Sequence, residues 1–220
     1  MSPTYRSLCS SIAMLMLAVP LTGCQDDEAP WKPYSEELCE LHTDHEGNAT
    51  SITTDSGNTL KINSISQKFT PDSIYRAIAI INPNDDAPEA HLLQFVSAPK
   101  PLPNIAANTG KDAVRLLSCW RTERYVNLRI AIPCSEIQRH AIGFADDGII
   151  RTIVTAGKPN RKTRRIRLLH YVDDDRQDFY QESIISCPVY DFEGELEPGR
   201  DSIQMTVYTE KGPRVFTTPF

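Results

Sequence analysis

Apolar residues recur along this chain with the two-residue period of β-strands. Val126, Leu128, Ile130 and Ile132 alternate with Asn127, Arg129 and Ala131, the pattern of a strand with one buried face. In residues 73–82, Ile74, Ile78 and Ile80 point one way, and Tyr75, Ala77, Ala79 and Ile81 the other. Only Arg76 interrupts two apolar faces, so this strand is expected to be covered on both sides. Cys39 and Leu41 share a face, residues 50–54 extend, and Asp55-Ser56-Gly57-Asn58 has turn chemistry. Leu60, Ile62 and Ile65 resume the rhythm, and His91-Leu92-Leu93-Gln94-Phe95-Val96 closes it. Five such strands in about sixty residues predict a small OB-like barrel over 38–103.

Pro99, Pro101 and Pro103, followed by 104–110, mark a change of composition read as a domain boundary. Beyond it, strand signals at 114–120, 126–132, 140–145, 149–154, 163–171, 180–190, 203–208 and 215–220 have the spacing of an antiparallel β-sandwich over 110–220. The fold class is therefore all-β.

The first residues follow different rules. Arg6 and the amino terminus precede an apolar core at 12–19, which ends at Leu21-Thr22-Gly23-Cys24. The core is too short for a spanning helix, which needs about 20 apolar residues, and fits a cleaved leader over 1–23. The segment resembles a bacterial lipobox, with cleavage before Cys24 and lipid on its thiol. Two or more acyl chains hold a protein stably in a bilayer. Gln25, Asp26, Asp27 and Glu28 resemble the acidic export signal of Bacteroidetes lipoproteins, and 24–37 reads as a linker. The expected location is the outer membrane, facing the cell surface, with the periplasmic face as the alternative.

The net charge of −6 argues against nucleic acid, whose phosphates need clustered positive charge. Of six cysteines, Cys39, Cys119, Cys134 and Cys187 remain after Cys9 and Cys24 are set aside. In an exported chain they allow disulfides in any of three connectivities, or buried free thiols.

Candidate chemistry is thin. His42-Thr43-Asp44-His45-Glu46 offers zinc-type ligands, yet on a strand His42 and His45 face opposite ways, and a polar loop is the simpler reading. Asp173-Asp174-Asp175 with Asp178 offers oxygens for calcium without EF-hand spacing, and so reads as a solvated turn. Lys158, Arg161, Lys162, Arg165 and Arg167 gather at one predicted hairpin, as a contact surface or as a guard against edge pairing. Trp120 and Tyr125 offer a sugar-stacking platform unless one packs into the core. No Gly-x-Ser-x-Gly elbow or phosphate-binding glycine loop occurs.

The chain resembles the NigD-like family of Bacteroidetes lipoproteins. The likeness runs through Asp55-Ser56-Gly57-Asn58-Thr59-Leu60, the strand at 75–82, Ser118-Cys119-Trp120, Tyr125-Val126-Asn127-Leu128-Arg129-Ile130, Arg167-Leu168-Leu169-His170-Tyr171 and the strand at 180–190. It implies an OB-like N-terminal domain, a C-terminal β-sandwich and no catalytic residues. The extra cysteines and the basic hairpin at 158–167 depart from the family pattern. The expectation is a lipid-anchored, non-enzymatic envelope protein that needs no cofactor or metal and presents a surface to a glycan, envelope component or protein. The alternatives are a metal-dependent envelope enzyme using the His42/His45 loop, or an immunity-like partner protein.

Overall fold

A computed structural model of the chain describes residues 34–62, 65–81, 89–153, 160–175 and 178–220. The leader, Cys24, the acidic tetrad and Lys158 lie outside the described residues. Among the described residues, thirteen strands run in order: β1 (Ser35–Thr43), β2 (Ala49–Thr54), β3 (Thr59–Ile62), β4 (Ile74–Ile81), β5 (Glu89–Phe95), β6 (Leu102–Pro103), β7 (Arg115–Arg121), β8 (Tyr125–Cys134), β9 (His140–Thr152), β10 (Arg161–Val172), β11 (Phe179–Pro188), β12 (Ser202–Thr209) and β13 (Gly212–Pro219). The only helical elements described are single 3-10 turns at Ile137–Arg139 and Tyr190–Phe192.

Strands β1 to β5 close a barrel in the order β1-β2-β3-β5-β4. Cys39, Leu41, Ile52, Ala77, Ala79 and Ala90 fill it. Small alanines on β4 and β5 suit a narrow interior, where larger side chains would collide. The turn from β2 to β3 uses Gly57 at φ +89°, a conformation that glycine adopts without steric cost. Thr54 and Asn58 close that turn, with the Thr54 N–H donating to the Asn58 carbonyl.

The rest forms a sandwich. A five-stranded sheet, β13-β12-β10-β9-β6, packs on a three-stranded one, β11-β8-β7. Val126, Leu128, Ile130 and Ile132 of β8 meet Phe144, Ile166, Leu168, Ile203, Met205 and Val207 between the sheets. Two pairings in the larger sheet are parallel, β10 with β12 and β6 with β9. The stretches expected at 140–145 and 149–154 are one strand, β9. Asp147 and Gly148 bulge opposite Arg165, and Gly148 at φ +80° lets the chain bend without turning back.

The outer face of β8 departs from its pattern. Asn127 is fully buried, because the barrel covers the start of this strand. Arg76 of β4 reaches across from the barrel and is itself only 4% exposed. Asp55 clasps its guanidinium with both oxygens, at 2.5 and 2.6 Å. Arg76 Nε donates to Ser186 Oγ at 3.2 Å and Nη2 to Asn127 Oδ1 at 3.2 Å. The same guanidinium lies 4.1 Å above the Tyr125 ring. Beside it, buried Glu40 of β1 accepts from Arg124 Nε and the Tyr125 hydroxyl, each at 2.8 Å. A buried charge left alone costs far more than its contacts return, so this cluster depends on all its partners. Arg76→Ala strands Asp55 and opens the barrel–sandwich contact. Denaturant unfolding should show a loss of about 3–5 kcal/mol, whereas Arg129→Ala, at an exposed pair with Glu182, should lose less than about 1 kcal/mol.

Candidate functional site

The expected sites fare unequally. His42 bonds Thr53 Oγ1 at 3.1 Å along the barrel wall, while His45 stands in solvent beside Glu46. The two rings do not converge: His42 lies on β1, whereas His45 stands in the turn that follows it. Among the described residues, no group of three or more His, Cys, Asp or Glu side chains is placed to hold a metal ion.

The aromatic platform does not form. Tyr125 is 3% exposed, held under Arg76 with its hydroxyl on Glu40, so only Trp120 remains half-buried at the surface. Of the two readings open for the four cysteines, the structure has free thiols rather than disulfides. Cys39, Cys119, Cys134 and Cys187 are free, with Cys39 in the barrel core and the others in the sandwich. Burial pushes the Cys39 thiol up to about 12 and the half-buried Cys119 up to about 11.

The basic strand is largely neutralised by its own fold. Arg167 is buried, bonded to Asp147 and to the Thr109 and Ala106 carbonyls. It is therefore not a contact residue, because loop 104–110 covers its face of β10. Arg164 pairs with Asp146 and Glu195, and Lys162 donates to the Glu195 carbonyl at 2.6 Å. Arg161 and Arg165 remain exposed, Arg165 donating to the Asp147 carbonyl.

Two features of the structure have no signal in the strand pattern. The first is a buried relay on β9 and β10. His140 Nε2 donates to Asp175 at 3.0 Å, and His140 Nδ1 meets His170 Nε2 at 2.8 Å. His170 Nδ1 lies 3.0 Å from the Asp112 carbonyl. Both outer nitrogens face acceptors. Across the 2.8 Å contact between the rings, one nitrogen donates and the other accepts. Burial, aided by His140, lowers the pKa of His170 below its ordinary value against the pull of the Asp112 carbonyl. Burial would raise Asp175, but the Glu136 N–H, the His140 ring and the Ser135 N–H outweigh it and hold the carboxyl at about 2. Asp175, expected in a solvated turn, is thus a structural anchor.

The second feature is a cleft where the sandwich opens. β7 ends the smaller sheet and β13 ends the larger one, and the two edges face each other. Near Val114, whose N–H donates to the Tyr208 carbonyl, the gap is closed. From there it runs as two adjoining cavities, of about 350 and 430 Å³, that share Cys119 and Phe216. Arg115, Lys211 and Arg214 line the first, and Trp120 and Arg121 the second. Glu210 is the one acidic residue lining them, and it accepts from the Tyr180 hydroxyl at 2.5 Å. Arg121 turns inward between the sheets, 5.3 Å from the Phe220 ring, and its buried Nε has no hydrogen-bond partner. Its Nη2 donates to the Glu123 carbonyl at 3.4 Å, and burial pulls its pKa down against the nearby Glu123 charge. Basic residues beside Gly212-Pro213 and Trp120 were visible in the sequence. That their strands are edges was not.

The pH sign of the relay follows from these shifts. His170 contributes stability that is complete above about pH 6.5 and lost as pH falls below it. Asp175 adds a second loss as pH falls from 3.8 toward about 2. Thermal unfolding of the wild type should therefore weaken from pH 6.5 to 5. In His170→Asn this slope should flatten, with stability at neutral pH lower by about 1–3 kcal/mol.

Comparison with known proteins fits this architecture. Residues 89–218 match the family model described as the NigD-like C-terminal beta sandwich domain. A NigD-like immunity protein from Bacteroides caccae shares 16% identity over 84% of this chain and 91% of its own, with a TM-score of 0.60. A candidate toxin-related protein from Parabacteroides distasonis shares 13% over 86% and 93%, at 0.63. A candidate lipoprotein from Bacteroides fragilis shares 10% over 86% and 97%, at 0.53. No curated protein matches. These likenesses establish a shared fold, and the family match places the chain: it belongs to the NigD-like family.

Proposed function

We propose that the chain is a non-enzymatic, lipid-anchored envelope protein that binds a protein partner through the cleft between β7 and β13. Cys24 would hold it at the outer membrane, and the acidic tetrad behind Cys24 would direct it to the cell surface. The observation that carries this reading is the cleft itself: two open strand edges flanking Arg115, Arg121, Lys211 and Arg214. Open edges offer backbone donors and acceptors that another polypeptide can satisfy and a glycan cannot match in register.

Other readings have less support. A glycan platform would need Tyr125, which is buried under Arg76. A metal-dependent enzyme would need His42 and His45 together, and they diverge. The family is not a known enzyme family. One solved relative is described as an immunity protein and another as a candidate lipoprotein, which agrees with a protein-binding envelope role. No helix among the described residues is long and apolar enough to cross a membrane, so lipid on Cys24 would supply the attachment.

A photo-crosslinking residue in place of exposed Val215 on β13 should capture a protein adduct in a Bacteroidetes host, while one at Ile150 on β9 should not. Adducts at neither position, or at both equally, would contradict the role of the cleft. Cys24→Ala should move the chain out of the membrane fraction, and protease added to whole cells should digest the wild type. Retention of the variant in membranes, or full protection of the wild type, would overturn the proposed address.

A further inference from the structure

The cleft has the chemistry of a slot for one more strand. β13 alternates cleanly from Arg214 to Thr218 against β12, with Pro213 and Pro219 standing at its ends. The proline-free stretch between them keeps its outer backbone edge open among the described residues. β7 across the gap is less suited to pairing, because a register shift between Leu116 and Ser118 bulges it at Leu117. Bulges and prolines are the usual guards of a sheet edge. Here they confine the open stretch to 214–218 rather than abolish it.

The lining selects what can enter. Arg214, Phe216 and Thr218 pair with Val207, Met205 and Ile203, whose side chains are buried between the sheets, so they face into the cleft. Leu116, Cys119 and Arg121 of β7 face them, since they pair with Ile130, Leu128 and Val126 of the core. The floor is thus apolar along Leu116, Cys119 and Phe216 and cationic at Arg121, Arg214, Arg115 and Lys211. The single carboxylate, Glu210, is already bonded to Tyr180, and Arg115 stacks 4.0 Å over the Tyr180 ring. Arg121 supplies a second and independent pointer. A buried N–H without an acceptor is a standing cost that an arriving carboxylate would remove.

We infer that the cleft receives an extended acidic segment of a protein partner, which adds as a strand to β13 and sets a carboxylate on Arg121. This deepens the proposed function and rests on it. Alternate side chains of the guest would enter the apolar floor, and acidic ones would meet Arg121, Arg214 and Lys211. The guest backbone would pair with residues 214–218.

The test uses the full chain in detergent and a short capped peptide of alternating Glu and Val, with a Lys and Val peptide as control. Binding is followed by backbone amide exchange. The acidic peptide should bind at least about tenfold more tightly than the basic one and slow exchange at alternate amides of 214–218. Arg214→Glu, at an exposed position, should weaken it about tenfold, and Arg121→Gln by a similar factor. Equal binding of both peptides, no binding, or binding without protection on β13 would overturn the inference. So would protection, in the free protein, of those amides of 214–218 that do not pair with β12, which would mean that a second copy or the chain's own acidic segment fills the slot. If a Val215 crosslink still captures a partner while the acidic peptide fails, the strand-addition mode falls and the protein-binding role stands.

Discussion

The buried guanidinium of Arg76 is the contact on which the rest of the molecule depends. It sits on the outer wall of the barrel, yet three of its neighbours, Tyr125, Asn127 and Ser186, belong to the sandwich. Removing such a charge from water is costly, and only a full set of partners makes it tolerable. The barrel and the sandwich are therefore held together by a polar cluster with directional bonds, in addition to their separate apolar cores. Specific geometry follows, because hydrogen bonds fix an orientation that apolar contact alone leaves free.

That constraint reaches the cleft through one hairpin. Glu40 of the barrel grips Arg124 and Tyr125 at the start of β8, and β7 ends immediately before them at Arg121. The wall that carries Cys119, Trp120 and Arg121 is thus positioned by a carboxylate on the barrel. The barrel need not touch a ligand to matter, since it aims one edge of the slot.

Periodicity revealed the strands well and their neighbours poorly. The alternation at 126–132 and the two apolar faces of 73–82 both proved to be strands, and Arg76 already stood out as the exception. Asp55-Ser56-Gly57-Asn58 was readable as a turn, but nothing local shows that its Asp is the counter-ion of Arg76. Tyr125 and Arg167 looked available because a strand pattern tells which residues share a face, not which element covers that face. The barrel covers one and loop 104–110 covers the other. Charge misled in the same way. The run Lys162, Arg164, Arg165 and Arg167 is dense in sequence, yet Asp146, Asp147 and Glu195 compensate much of it. The cationic surface that remains at the cleft is assembled from residues about a hundred positions apart, Arg115 and Arg121 against Lys211 and Arg214.

Cys119 reports on the occupancy of that cleft directly. It is half-buried on the cleft floor, whereas Cys39, Cys134 and Cys187 are fully buried. The decisive measurement is its rate of alkylation by N-ethylmaleimide in isolated native membranes, compared with the same membranes returned to low salt after a wash in about 1 M salt, which loosens charge-held partners. A filled cleft predicts slow reaction at first and a rate faster by about tenfold after the wash, matching the purified chain. An unchanged rate, already equal to that of the purified chain, would show that nothing occupies the cleft and would contradict the account.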